Sequence, residues 1–145
     1  MSGARPPNGF RAFPAFSAAR LKIRTKRGDV APFRLNAVQR ALHRRLEAQR
    51  NATGRVRALI LKARQPGVST YVEGRFYWLV THRAGVRAFI LTHLRDATDA
   101  IFEMVERFYG NDSAERKPHI GASNAKELWF DKIDSGYRVG TAGSK

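Results

Sequence analysis

The sequence predicts an α/β fold in which helices flank a parallel sheet. An apolar run at residues 58–61 is followed by a segment with helical spacing, and a second apolar run at residues 86–92 is followed by another. This strand–helix–strand–helix order is typical of parallel sheets, because each helix connects one strand to the next across a face of the sheet. With 145 residues, 43% of them hydrophobic, the chain has enough material for the core of one domain.

The N-terminal region is predicted to contain a flexible basic arm and a hairpin. Residues 1–19 mix Pro, Gly and Ala with three spaced phenylalanines, which indicates an arm without regular structure. Residues 21–25 alternate apolar and basic side chains, residues 26–29 contain a glycine, and residues 30–33 are mainly apolar. This pattern predicts a short β-hairpin at the start of a single domain that spans residues 20–145.

Two helices and the strand between them follow in order. Asn36 is a good N-cap, so we expect a helix over residues 36–50 that ends before Gly54. Residues 56–61 are predicted to form the first buried strand and residues 69–82 the next helix. The side chains predicted to be buried in these two helices are Val38, Leu42 and Leu46, and Val72, Phe76, Leu79 and Val80.

The rest of the chain continues the alternation. We expect a strand at residues 86–92, a helix at residues 97–108, and two strands at residues 127–133 and 137–142 around a turn at residues 134–136. We assign the large aromatic residues to the core rather than to a base-stacking surface; these are Tyr77, Trp78, Phe89 and Trp129.

Composition narrows the class of protein. A formal net charge of +15 and a pI near 11.3 favour a polyanionic partner, of which nucleic acid is the commonest, although a basic bias of the whole proteome is an alternative. The chain has no cysteine, which excludes disulfides and thiolate chemistry, and its four histidines lack metal-binding spacing. It has no apolar run of about 20 residues and no secretory signal pattern. We therefore expect a cytoplasmic protein without membrane contact.

Residues 62–70 have the context of a phosphate-binding loop. They lie between a predicted strand and a predicted helix, where unpaired backbone N–H groups and the helix dipole favour an anion. Compared with the usual pattern G-x-x-x-x-G-K-[ST], Gly67 and the hydroxyl of Ser69 are kept, Val68 replaces the lysine, and Lys62 stands at the first glycine position. Lys62 follows the predicted strand at residues 56–61 and could bring its ammonium group to the phosphates from there. The alternative is an ordinary strand-to-helix turn in which the hydroxyl only caps the helix.

Gln39 has two interpretations. The spacing Asn36-x-x-Gln39 fits a capping box, in which the glutamine side chain returns to the backbone of the N-cap residue. Alternatively, the amide upstream of a phosphate loop recognises adenine, since it carries both a donor and an acceptor.

Several segments together resemble one protein family. FRLNAVQ (33–39), LKARQPGVSTY (61–71) and AGSK (142–145) resemble, in sequence and order, the large (ATPase) subunit of tailed-phage DNA-packaging terminases. ILTH (90–93) resembles the second strand of the motor domain of that family, and SGYRVGTAG (135–143) resembles the strand pair that leads toward its acidic motif.

The resemblance implies the N-terminal part of a P-loop NTPase motor domain that binds ATP and Mg²⁺. It implies that Gln39 contacts adenine, that Ser69 ligates Mg²⁺ with support from Thr70, and that Lys62 and Arg64 are the catalytic cations. The backbone that would cradle the phosphates belongs to Gln65, Pro66, Gly67, Val68, Ser69 and Thr70.

The same resemblance implies double-stranded DNA, a portal protein, a small terminase subunit and a homo-oligomeric ring as partners in viral DNA packaging. Hydrolysis in this class needs an acidic pair after an apolar strand; the nearest candidate ends at Asp131 and continues with Lys132. We therefore expect an N-terminal fragment, without acidic motif or nuclease domain, that does not turn over ATP alone. The alternatives are a helicase-like, nucleic-acid-dependent ATPase and a non-enzymatic basic nucleic-acid-binding protein.

Overall fold

The computed structural model describes residues 9–63, 67–124 and 126–143, and every structural statement below concerns these ranges. Their helices are α1 (Gly9–Arg20), α2 (Ala37–Thr53), α3 (Val68–His82) and α4 (Arg95–Asn111), with a short 3₁₀ helix at Asp131–Ile133. Their strands are β1 (Lys22–Arg24), β2 (Val30–Pro32), β3 (Arg87–Thr92), β4 (Ala122–Asn124), β5 (Glu127–Phe130) and β6 (Ser135–Thr141).

The hairpin and the position of the first predicted helix are confirmed, but its predicted buried side chains are only partly so: Leu46 is buried, Leu42 is half-buried and Val38 is 51% exposed. β1 and β2 pair antiparallel. Asn36 caps α2 in a complete capping box with Gln39, and Gly54 ends the helix in a left-handed conformation. The helix forms here because its first backbone donors have side-chain acceptors and its C-cap residue tolerates a positive φ.

The main sheet is mixed rather than parallel. Its strand order is β3-β6-β5-β4, and only β3 and β6 run parallel. β5 pairs antiparallel with both β4 and β6. The prediction of a parallel sheet is wrong at this point because β5 and β6 are joined by a tight connection through Asp134, whose φ of 51° is left-handed, and such a short connection reverses the chain.

Helices cover one face of this sheet instead of flanking both. α3 and α4 pack against β3 and β6, and the buried side chains of the covered face are Leu128, Phe130, Tyr137 and Val139. On the opposite face Phe89 is 54% exposed and Trp129 is half-buried. The core assignment is therefore correct for Tyr77 and Trp78, which are buried, and wrong for Phe89, whose strand presents alternate side chains to solvent.

The predicted flexible arm is a helix from residue 9 onward; residues 1–8 lie outside the described ranges. Phe13 is fully buried, with its ring centroid 5.6 Å from that of Tyr71 and 5.7 Å from that of Trp78. Gly74 of α3 permits the close approach of Phe33 to the same helix, because an added Cβ there would lie 2.9 Å from the Phe33 ring. The Pro, Gly and Ala content suggested disorder, but burial of the aromatic rings stabilises the helix.

Residues 56–61 do not form the predicted buried strand. They have no regular secondary structure, and the side chains of Leu59 and Leu61 are fully exposed. A strand is stable only when a neighbouring strand pairs with its backbone, and none of the described strands does so.

The position of α3 is confirmed, whereas its buried stripe is broader than predicted. Val80 is buried, but Val72, Phe76 and Leu79 are only partly so. α3 lies between α1 and α2 on one side and β6 on the other, so it buries residues around most of its circumference; these are Val68, Tyr71, Glu73, Gly74, Arg75, Tyr77, Trp78 and Val80.

Candidate phosphate-binding site

α3 begins at a glycine whose backbone conformation is unusual. Gly67 is the N-cap with φ 80° and ψ 15°, in the left-handed region, and no side chain of the described residues caps this helix end. Its carbonyl accepts the first helical hydrogen bond, from the Tyr71 N–H, at 3.0 Å. The N–H groups of the first turn have no intrahelical acceptor and point outward along the helix axis. An uncapped helix start of this kind suits an anion.

Gln39 connects this helix start to the start of α2. Its Nε2 donates to the Gly67 carbonyl at 2.8 Å, while its Oε1 accepts from the Asn36 backbone N–H at 2.8 Å. The side chain is only 4% exposed. A Cβ at residue 67 would lie 2.6 Å from Gln39 Nε2, so the contact requires glycine for its space as well as for its positive φ. The capping interpretation of Gln39 is confirmed, and contact with adenine stays a prediction.

The other predicted site residues are placed as follows. Val68, at the position of the usual lysine, has its side chain buried, so only its backbone faces the helix end. Ser69 is exposed and Thr70 half-buried on the first turn of α3. Lys62 is exposed before the loop, and its contact with a phosphate stays a prediction. Arg64, Gln65 and Pro66 lie outside the described residues.

A buried polar network holds α3 against α2 one turn after the site. The Tyr71 hydroxyl lies 2.8 Å from His43 Nδ1 and accepts a hydrogen bond of 3.0 Å from Arg75. Arg75 also forms an ion pair with Glu47, whose other carboxylate oxygen accepts from Arg50 at 2.8 Å. Glu47 is fully buried. The network fixes the orientation of the first turns of α3 relative to α2.

Two neighbouring arginines explain why the buried carboxylate of Glu47 stays charged. Burial raises the pKa of the Glu47 carboxyl, but the Arg75 and Arg50 guanidiniums outweigh it and hold the pKa below its usual value. Burial raises the pKa of Tyr71 as well. Glu47 is therefore ionised, whereas Tyr71 keeps its hydroxyl proton. Sequence periodicity could not identify this network, because the charged members lie at positions that a helical pattern assigns to solvent.

The helix start lies at the same end of the molecule as the carboxyl ends of the parallel strands. β3 follows α3 after a short turn and runs back along it, and the two elements have similar lengths of roughly 20 Å. At that end Thr98 of α4 lies 2.7 Å from the Thr92 hydroxyl and 2.6 Å from the Thr141 hydroxyl, and is fully buried. Open α/β sheets bind ligands at this edge.

Two further properties concern the described part of the chain. It contains no group of three or more His, Cys, Asp or Glu side chains that could hold a metal ion, which leaves the Ser69 hydroxyl as the predicted metal ligand. None of its helices is both long and apolar enough to cross a bilayer.

Comparison with known proteins shows a likeness in fold. No protein-family model matches the sequence, and no curated protein matches it. Among solved structures, the chain is similar to the large terminase of bacteriophage HK97, with a TM-score of 0.75 and 16% sequence identity. The likeness covers 94% of this chain and 28% of that chain. At this identity it concerns the fold alone: the chain has the fold of part of a large terminase.

Proposed function

We propose that this chain is the nucleotide-binding part of the motor domain of a tailed-phage large terminase, with a P-loop NTPase fold. It binds ATP with Mg²⁺ at the start of α3, and hydrolysis in the complete motor drives viral DNA into procapsids in the bacterial host cytoplasm. The observation that carries the proposal is the uncapped, left-handed Gly67 held by Gln39, within a fold similar to that of the HK97 large terminase.

The proposed chemistry is positioning and charge neutralisation. The N–H groups of residues 67–70 bind phosphate oxygens, and Ser69 ligates Mg²⁺. Lys62 and Arg64 stabilise the charge that develops on the transferred phosphoryl group, which is the main contribution in this class of reaction. Robust hydrolysis needs acidic residues beyond those assigned here, so the isolated chain binds nucleotide without turnover.

The partners proposed for the complete motor are double-stranded DNA, a portal protein, a small terminase subunit and further copies in a ring on the portal. The net charge of +15 supports the first of these, because basic side chains bind DNA phosphates without sequence preference.

Calorimetric titration of the 145-residue chain with ATP and Mg²⁺ tests the proposal. We expect Gly67→Val to abolish nucleotide binding, since the side chain would collide with Gln39 and disfavour the positive φ, and to leave binding to DNA largely unchanged. Circular dichroism must show that the variant is folded.

Ser69→Ala is a milder variant for the metal. It should weaken ATP binding in Mg²⁺ but not in EDTA, whereas Ser123→Ala, at an exposed position of β4, should change neither. If the parent chain binds no nucleotide and Gly67 and Lys62 variants change nothing, the chain is instead a non-enzymatic nucleic-acid-binding protein.

A further inference from the structure

The uncovered face of the main sheet carries a regular arrangement of aromatic and basic side chains. Directly paired residues of adjacent strands point to the same face. The pairing gives three cross-strand rows, which are Arg87, Gly136 and Trp129; Phe89, Arg138 and Glu127; and Leu91 and Gly140.

Two glycines shape this face into grooves. A Cβ at Gly136 would lie 2.9 Å from the Trp129 ring, and a Cβ at Gly140 would lie 3.1 Å from the Phe89 ring. Because neither residue has a side chain, each aromatic ring lies against the strand at its glycine, and the grooves run beside the rings. The grooves have volumes of about 250 and 460 Å³ and share Phe89, Glu127 and Arg138 in their lining.

Each ring is accompanied by a guanidinium. Arg87 lies 4.7 Å from the centroid of Trp129, and Arg138 lies 5.9 Å from that of Phe89. Lys126 also lines the larger groove. The lining of the grooves therefore contains three cationic side chains and one carboxylate, that of Glu127. A second carboxylate, that of the exposed Asp134, lies outside the grooves and pairs with Arg87 at 3.4 Å. The face combines flat apolar surfaces with a positive potential.

We propose that this face binds single-stranded nucleic acid, with bases stacked on Phe89 and Trp129 and phosphates bound by Arg87 and Arg138. Aromatic rings accept any base on their faces, and arginines alongside them attract the backbone. The two rings are two strands and two residues apart, about 12 Å from the strand and residue spacings, so one strand crossing the face diagonally contacts both. Bases within a duplex are already stacked and cannot reach the rings. The site is separate from the start of α3 and does not depend on nucleotide binding there.

Fluorescence anisotropy with a labelled oligo-dT strand and the 145-residue chain tests the proposal. We expect Phe89→Leu and Trp129→Leu each to lower affinity for the single strand about fivefold to 100-fold, with duplex affinity unchanged. Val30→Ala removes an exposed apolar side chain from β2, outside this face, and should leave the affinity within about twofold of the parent. Arg138→Gln should reduce the slope of log affinity against log salt by about 0.7.

Phe89→Tyr keeps the ring and should retain binding, which separates stacking from any effect on folding. Single-strand affinity that is unchanged in both leucine variants would overturn the proposal. So would a concentration-dependent dimer that Phe89→Leu abolishes while oligo-dT binding persists, because the face would then be an interface between copies of the chain.

Discussion

At the scale of single residues, Gln39 is the side chain on which the candidate site depends most. Its amide donates to the Gly67 carbonyl and accepts from the Asn36 N–H, so the starts of two helices share one side chain. The Gln39 side chain is 4% exposed, and both its amide nitrogen and its amide oxygen are hydrogen-bonded to backbone groups. Its effect on a ligand is therefore to position that backbone. We therefore interpret Gln39 as a positioning residue for the helix start.

Replacing this glutamine tests that interpretation. Gln39→Ala should lower affinity for ATP and GTP by similar factors. The orientation of the backbone N–H groups at the start of α3 changes, whereas no contact with the base is lost. It should also lower the free energy of unfolding by about 1–2 kcal/mol, through loss of the cap and of one hydrogen bond. Nucleotide titration and urea unfolding measure the two effects. Asn51→Ala, at an exposed position of the same helix, is the matched control; a loss confined to ATP would indicate adenine recognition instead.

Glu73 is a buried acid without a partner. It is 1% exposed, and neither of its carboxyl oxygens has a hydrogen-bond partner in the described structure; the same holds for the hydroxyl of Tyr137. Burial raises the pKa of Glu73 to about 8. At neutral pH the carboxyl is therefore mainly protonated in the folded chain, whereas in the unfolded chain it is ionised.

This difference predicts a dependence of stability on pH. Between about 4.5 and about 8 the folded state binds one more proton than the unfolded state at Glu73, so stability falls as pH rises, by at most about 1.4 kcal/mol per pH unit. Glu73→Gln should remove this part of the slope, as measured by urea unfolding across the window. Glu103→Gln, which removes an exposed carboxyl from α4, is the control. An unchanged slope in Glu73→Gln would show that the acid is solvated.

The contacts that could be predicted from the sequence join residues close together in the chain, and those that could not join residues far apart. The capping box of Asn36 and Gln39 was predictable because its two members are three residues apart in one helix. The bond from Gln39 to Gly67 joins residues 28 positions apart, and no local pattern encodes it. The burial of Glu73 was equally hidden, because it depends on β6 packing over α3.

At the scale of elements, α1 and α3 form the centre of the helical layer. Phe13 of α1 contacts the aromatic rings of α3, and Arg20 at the end of α1 pairs with the buried carboxylate of Asp112 at 2.7 Å. The Tyr77 hydroxyl donates to the same carboxylate at 2.8 Å. Composition pointed to disorder for α1 because a marginal helix in isolation becomes stable only through such tertiary contacts.

Truncating the aromatic anchor of α1 should be costly. Phe13→Ala removes a fully buried ring and should lower the free energy of unfolding by about 3–5 kcal/mol. Phe89→Ala, at a position 54% exposed, should cost far less. Chemical unfolding of both variants makes the comparison; similar losses would mean that α1 is not docked.

At the α2–α3 interface, an uncompensated buried charge should lower the free energy of unfolding by as much as the loss of the Phe13 ring. Glu47→Ala leaves Arg75 buried without its carboxylate and should cost about 3–5 kcal/mol. Asp134→Asn breaks an ion pair whose side chains are 69% and 68% exposed, keeps a residue type that tolerates the left-handed φ, and should change stability by less than about 1 kcal/mol. Urea unfolding at one pH measures both, and equal effects would contradict a buried network.

At the scale of the whole molecule, apolar surface is distributed unevenly. One face of the sheet is covered and the other bare, and residues 56–61 lie outside both layers with Leu59 and Leu61 fully exposed. The sequence predicted a strand here because the residues are apolar and β-forming. It could not reveal that no described strand is available to pair with them, since pairing depends on the arrangement of the other strands.

An exposed apolar segment that pairs with none of the described strands favours association with other chains. The double variant Leu59→Lys with Leu61→Lys should therefore reduce concentration-dependent self-association in sedimentation velocity. Its melting temperature should stay within a few degrees of the parent, because these side chains bury no surface in the folded chain. Leu128→Lys, at a position 2% exposed, should in contrast unfold the sheet. A large fall in melting temperature for the double variant would mean that both leucines are buried in solution, and the segment would then belong to the core.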